Sequence, residues 1–422
     1  MHHLSAQWRD ALALCHRGTP ELYEFADQVE AGPHADTIRF GLEEVGLTAI
    51  LCFDQVPTIA FLSNELDESL NIDEVHSILW NQGILSLLLV LSEESLNAYS
   101  LVRQPIKSGI TDSFDPRLIE TLSLTSDALA ITELIKSAES GRYWIENDAF
   151  FDPEDRIDRV LLDNLIAAYR ELAPSLGAEA AQALLMQSMF IAYLEDREIV
   201  VPVDFVNASN GKCRSFADTL EAASAVSFEG LFQWLRSAFN GDIFNAPCAF
   251  DLDTPSTPNV SVEHLRILAR FRHGREEMTS GQYRFFGYNF KYIPVALISA
   301  VYDRFLKEEA LKKNADGAFY TPMFLADVAT SQIWDVLSDD QKNAGLFCDP
   351  ACGSGIFLVR LFQRLVTERR FKLGWQFISW DDLTSIAKRL RGSDINPTAV
   401  RGLFPLSGPA RAFRSARTAQ TC

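Results

Sequence analysis

Apolar residues change their spacing along this chain, and the changes divide it into stretches of different character. In residues 1–135, short apolar runs alternate with turn-forming residues. Thr48–Phe53 and Pro57–Leu62 read as strands, and Ser86–Leu91 with Leu96–Val102 reads as a hairpin turning at Ser92-Glu93-Glu94-Ser95. In the second arm Leu96, Ala98, Ser100 and Val102 share one face, with Asn97, Tyr99 and Leu101 on the other. Asp73–Trp80 suits a helix between the strands. The expectation is a mixed α/β module.

From 136 to 310 the spacing becomes helical. The clearest segment is Ala178–Arg197, where Ala180, Leu184, Ser188, Ile191 and Glu195 align and Leu185, Phe190 and Leu194 widen the stripe. A Pro- and Thr-rich stretch at Asp251–Pro258 reads as a loop. Pro294 can open a further helix, with Leu297, Ile298, Val301, Tyr302, Phe305 and Leu306 at three-four spacing.

Residues 311–400 start a second α/β region. Thr321 can cap a helix with Pro322 at its first position, and the predicted apolar face is Leu325, Val328, Ala329, Ile333 and Val336. Leu346–Asp349 reads as a strand, Gly355–Arg369 as a helix, and Leu390–Ile395 as the next strand. Residues 401–422 carry no acid and little periodicity, as expected of a basic disordered tail or of a lost reading frame.

Composition narrows the classes. The chain is 47% hydrophobic and 23% charged over 422 residues, which predicts two or three ordinary globular domains. No apolar run approaches the ~20 residues of a membrane span, and no signal-peptide pattern opens the chain. Seven scattered cysteines predict a reducing compartment, hence a cytoplasmic protein that does not enter membranes. The formal charge of -19 opposes general attraction to nucleic acid, and no dedicated DNA-reading domain is visible.

The candidate chemistry lies in Asp349-Pro-Ala-Cys-Gly-Ser-Gly355. An apolar strand ends at a carboxylate, and two glycines let the backbone take unusual dihedrals and approach a ligand before a helix begins. The helix N-terminus adds partial positive charge, and Asp349 suits an ammonium group. A third small residue is missing, since Leu358 occupies its place, which disfavours a dinucleotide site. No P-loop and no serine-hydrolase elbow occurs. Asp394, 45 residues after Asp349, is suited to ribose hydroxyls. That interval requires an insertion or a long helical crossover at 366–388. Cys348 and Cys352 lack zinc-ligand spacing and read as small packing residues. The strands of the first module would suit a magnesium nuclease, but the chain contains no Glu-x-Lys.

Three motifs together resemble the adenine-specific (N6) DNA methyltransferases of restriction-modification type, in their long single-chain form. They are Gly317-Ala-Phe-Tyr-Thr-Pro322, Asp349-Pro-Ala-Cys-Gly-Ser-Gly-Ile-Phe-Leu358 and Gly392-Ser-Asp-Ile-Asn-Pro397. Phe190–Arg197, Phe239–Phe244 and Ile293–Leu306 are similar to that family's helical linker. The resemblance implies a Rossmann-like methyltransferase domain beginning at 311, behind the mixed module 1–135 and a helical domain 136–310. It implies S-adenosylmethionine as cofactor and DNA as partner. Tyr320 and Thr321 would contact the methionine part, Asp349 its amino group, and Ala351, Gly353, Ser354 and Gly355 would line it. Asp394 would take the ribose hydroxyls, and Ile395 would lie on the adenine ring.

One departure is large. The family holds the flipped adenine with a D/N-P-P-Y/F motif, and this sequence has no Pro-Pro. Only 64 residues follow Leu358, so the expected sheet is incomplete, with an exposed apolar face and poor order beyond 345. The implied outcome is weak or no cofactor binding and no methyl transfer by the chain alone, unless a partner chain supplies the missing strands.

Overall fold

The computed structural model describes residues 3–63, 71–106, 115–222, 224–239, 244, 260–273, 289–311, 321–353 and 355–394. The Asp251–Pro258 loop, the 401–422 tail, Tyr320, Ser354 and Ile395 lie outside the described residues. The chain divides into two compact units, Met1–Val160 and Leu161–Cys422.

The first unit is built on a six-stranded sheet whose strands lie in chain order: β1 Leu22–Tyr23, β2 Ala49–Phe53, β3 Val56–Ser63, β4 Leu87–Leu91, β5 Ser95–Ser100 and β6 Leu118–Ser123. Neighbours are antiparallel except β3 and β4, which pair in parallel from Ile59↔Leu87 to Ser63↔Leu91. Asp54 and Gln55 turn β2 into β3 with positive φ at both positions, the geometry of a tight hairpin. The predicted strands and hairpin are therefore present. β6 was not foreseen, because its Leu-Ile-Glu-Thr-Leu-Ser sequence is mostly half-buried at an edge.

The helices of the first unit are α1 Ala6–Ala11, α2 Ala35–Phe40, α3 Ile72–Gln82, α4 Ala128–Glu139 and α5 Arg142–Glu146, and α6 Ile157–Leu176 runs across the boundary into the second unit. α3 connects the parallel pair, as such a pair requires. Trp8, Leu12, Ile131, Leu134, Ile135 and Tyr143 bury one sheet face, against Leu51, Phe61, Leu89 and Ala98. Because α4 and α5 complete this core, the unit runs to Val160 and not only to the boundary near 135 expected from sequence.

His76 of α3 is fully buried. Its Nε2 donates to the Ser100 carbonyl at 2.8 Å, and its Nδ1 has no hydrogen-bond partner. Burial, seconded by the nearby Arg117 guanidinium, pushes its pKa down to about 4, with the Ser100 bond opposing.

The second unit continues with α7 Ala178–Asp196, α8 Pro202–Ala208, α9 Phe216–Glu221, α10 Ala225–Ala238, α11 Val262–His273, α12 Val295–Leu311, α13 Met323–Val336, α14 Asp339–Ala344, α15 Ile356–Lys372 and α16 Trp380–Ala387. Two strands, β7 Phe347–Asp349 and β8 Leu390–Gly392, pair in parallel. α7 is the core helix that its pattern predicts, with Leu184, Leu185, Phe190, Ile191 and Leu194 buried. α12 likewise buries Leu297, Ile298, Val301, Tyr302 and Phe305. The 366–388 interval holds the end of α15 and all of α16, which is the helical crossover.

α13 corrects two expectations. Pro322 sits at the N-cap in an extended conformation, so it is not the first helical residue and Thr321 is not the cap. The predicted apolar face is the outer one: Leu325, Val328, Ile333 and Val336 are exposed, while Ala326 and Trp334 are buried. Periodicity located a stripe but not its partner. α15 packs against the neighbouring stripe, through Ala326 and an ion pair from Asp327 to Arg360.

Candidate functional site

The candidate site forms where β7 turns into α15. Phe347, Cys348 and Asp349 stand opposite Leu390, Arg391 and Gly392 of β8. The ladder then continues into the turn. The Ser393 N–H donates to the Asp349 carbonyl at 3.0 Å, and the Cys352 N–H donates to the Ser393 carbonyl at 3.0 Å. Gly353 and Gly355 both take positive φ, 54° and 92°, which costs an L side chain about 1–2 kcal/mol per residue. Gly355 is the N-cap of α15, and its N–H donates to the Cys352 carbonyl at 2.7 Å. The reason for the two glycines is thus the left-handed turn that starts the helix.

The turn lies close against β8. A Cβ on Gly392 would stand 2.7 Å from Leu358 Cδ1 and 3.0 Å from Cys352 Sγ. Cys352 is buried there, in the packing role expected of it. Cys348 is exposed, which corrects that expectation: its side chain points away from the small core of Trp334, Leu358, Leu365 and Ile386.

Two carboxylates converge on the turn. Asp349 Oδ1 accepts from the Ala351 N–H at 3.1 Å, whereas Oδ2 is buried with no hydrogen-bond partner. A buried carboxylate oxygen without a donor is unfavourable by ~1–3 kcal/mol or more, so it marks a place where a donor belongs. Asp394 Oδ2 accepts from the Gly353 N–H at 2.9 Å. The structure therefore brings Asp349, Ala351, Gly353, Gly355 and Asp394 together at the ends of two parallel strands. Thr321 is half-buried at the entrance to α13.

Sequence reasoning missed Asp327 and Arg360. Their side chains are 13% and 10% exposed and bridge α13 to α15. Burial pushes the Asp327 carboxyl up, with the Arg360 guanidinium opposing. A lone Asp on one helix and a lone Arg on another carry no signal until the two helices are known to meet.

Chemically, this arrangement can receive an ammonium group at Asp349 and a flat or narrow ligand against the glycine backbone. Asp394 stands at the same turn, accepting from the Gly353 N–H.

Comparison with known proteins bears on the same stretch. Residues 295–401 match the sequence model of the N-6 DNA methylase family. No curated protein and no solved structure gives a significant match. The matched stretch opens at α12, which the spacing had grouped with the helical domain, and runs through α13, β7, the glycine turn, α15, α16 and β8. Residues 295–401 are thus similar to the N-6 DNA methylase family, over about a quarter of the chain.

Proposed function

We propose that this segment holds S-adenosylmethionine for a DNA adenine-N6 methyltransferase of a restriction-modification or phage-defence system. The observation that carries the cofactor reading is the buried, donorless Oδ2 of Asp349 beside two left-handed glycines. Asp349 would hold the amino group, Ala351 and Gly353–Gly355 would line the ligand, and Tyr320 and Thr321 would contact the methionine part. Asp394 would take the ribose hydroxyls and Ile395 the adenine ring. When bound, the cofactor supplies an electrophilic methyl group. The chain's own residues orient and enclose it, which suits a direct displacement that depends on alignment more than on an ionisable base.

DNA enters as the partner through the family, whose members flip the target base. The residues that would grip a flipped adenine are not in this sequence, since it has no Pro-Pro. In this reading the chain alone does not methylate DNA, 136–310 is a helical linker, and the protein works in the cytoplasm.

The test is photocrosslinking of radiolabelled S-adenosylmethionine to the full chain, with a filter assay for methyl transfer to duplex DNA. Weak, saturable crosslinking that disappears in Asp349→Asn, with no methyl transfer, is the expected result. Absence of any crosslink would refute the cofactor reading, and methyl transfer by the chain alone would refute the inactivity.

A second reading is a subunit completed by a partner chain that supplies further strands. It is favoured by the exposure of Leu346 beside β7, at 75%, and of Phe324 on α13, at 69%. Under it, methyl transfer appears only when a polypeptide carrying an N-P-P-Y strand is added.

A further inference from the structure

Near their N-terminal ends α13 and α15 meet through small and branched residues. Ala326 of α13 packs with Ile356 and Val359 of α15 and with Ala296 and Ala300 of α12, all buried. The large knob of this seam, Trp334 of α13, packs with Leu358 and Leu365 of α15 under the Arg364 guanidinium, farther from the helix entrance. At the entrance end of the seam, Arg360 Nε donates to Asp327 Oδ1. The same guanidinium donates through Nη1 to Gln363 Oε1 at 2.9 Å, which fixes the orientation of its fork. Both members of the ion pair are largely withdrawn from water.

Their places in the chain give the contact its meaning. Asp327 lies in the first turns of α13, just past Thr321 and Pro322. Arg360 lies in the first turns of α15, just past Gly353 and Gly355. The pair therefore joins the two helices close to the ends that carry the candidate cofactor residues. A buried ion pair is a poor source of net stability but a good register device, since a one-residue slide pulls the two charges apart.

We propose that Asp327 and Arg360 are positioning residues, which set the entrance of α13 against the glycine turn of α15. They touch no ligand in this assignment. They act by holding Thr321 and the Gly353–Gly355 turn at a fixed separation. The consequence for cofactor capture rests on the cofactor reading above, but the effect on the turn itself does not.

The experiment is amide hydrogen exchange on the full chain, read by mass spectrometry, for the natural sequence, Asp327→Asn and the charge swap Asp327→Arg/Arg360→Asp. In Asp327→Asn, exchange at peptides covering 349–356 and 321–326 should rise about tenfold, with α7 and the first unit unchanged. The swap should return both peptides toward the natural rate. Crosslinking of S-adenosylmethionine should fall in Asp327→Asn and recover in the swap. An unchanged turn in Asp327→Asn, a rise spread equally over α7 to α11, or a swap no better than the single substitution would overturn the assignment. If the natural chain captures no cofactor, only the cofactor reading fails, and the exchange rates still decide the positioning role.

Discussion

At the scale of single residues, burial decides which side chains carry charge. His76 donates through Nε2 to Ser100, so protonation would place a second N–H at Nδ1, where no acceptor lies. The folded chain keeps this imidazole neutral down to about pH 4, while the unfolded chain protonates it near pH 6.5. Between these values the unfolded state binds more protons, so stability falls as pH falls through that window. The loss amounts to no more than about 3 kcal/mol. Urea midpoints measured from pH 7 to pH 4, read on the first unit by exchange of β4–β5 peptides, should drop steeply in the natural chain and less in His76→Gln. Equal slopes would show that His76 is not the sensor. At the candidate site, Asp349, Gly353 and Gly355 were readable from sequence because a turn that needs left-handed backbone can be recognised by its glycines. The bond from the Gly353 N–H to Asp394 was not readable, since it depends on the β7–β8 register across 41 positions. Cys348 was misjudged for a related reason: a two-sided strand pattern does not say which side is covered.

At the scale of elements, periodicity found the strands and helices but was weaker on their partners. β2 to β5, α3, α7 and α12 agree with their patterns, because each buries the stripe that its own sequence displays. α13 does not. It buries Ala326 and Trp334 and turns Leu325, Val328, Ile333 and Val336 outward. A ranking follows. Val336→Ser and Ile333→Ser should move the thermal midpoint little, since these side chains are already in water. Ala326→Leu should lower the stability of the second unit by ~1–3 kcal/mol, because the larger side chain must displace Ala300, Ile356 or Val359. Thermal melts followed by circular dichroism would separate the cases. A large loss from Val336→Ser, with Ala326→Leu tolerated, would mean that the stripe is buried in solution. β6 escaped the sequence reading because an edge strand with a polar outer face looks like a loop.

At the scale of the whole molecule, the two units differ in how far their sheets are closed over. The first has six strands, with one face buried by α1, α4 and α5. The second has two strands among the described residues, beside exposed Leu346 and Phe377 and the outer stripe of α13. Exposed apolar side chains of this kind attract amphiphiles and other apolar surfaces. The full chain should therefore enhance the fluorescence of an apolar dye such as anilinonaphthalene sulfonate at neutral pH. The triple change Leu325→Ser, Val328→Ser and Val336→Ser should reduce that signal by more than half. A signal that survives the triple change would assign the dye to another surface. No helix among the described residues is long and apolar enough to cross a membrane.

The parallel pairing of β3 with β4 has a further consequence, in the order of events as the chain folds. Antiparallel neighbours can zip up locally, so β2–β3 and β4–β5 can each form early and independently. The middle of the sheet cannot, because its two strands run the same way and α3 must first swing one hairpin beside the other. Folding of the first unit should therefore wait on the meeting of two preformed hairpins. Leu79 and Trp80, which are buried on α3, become the residues whose truncation slows that meeting most.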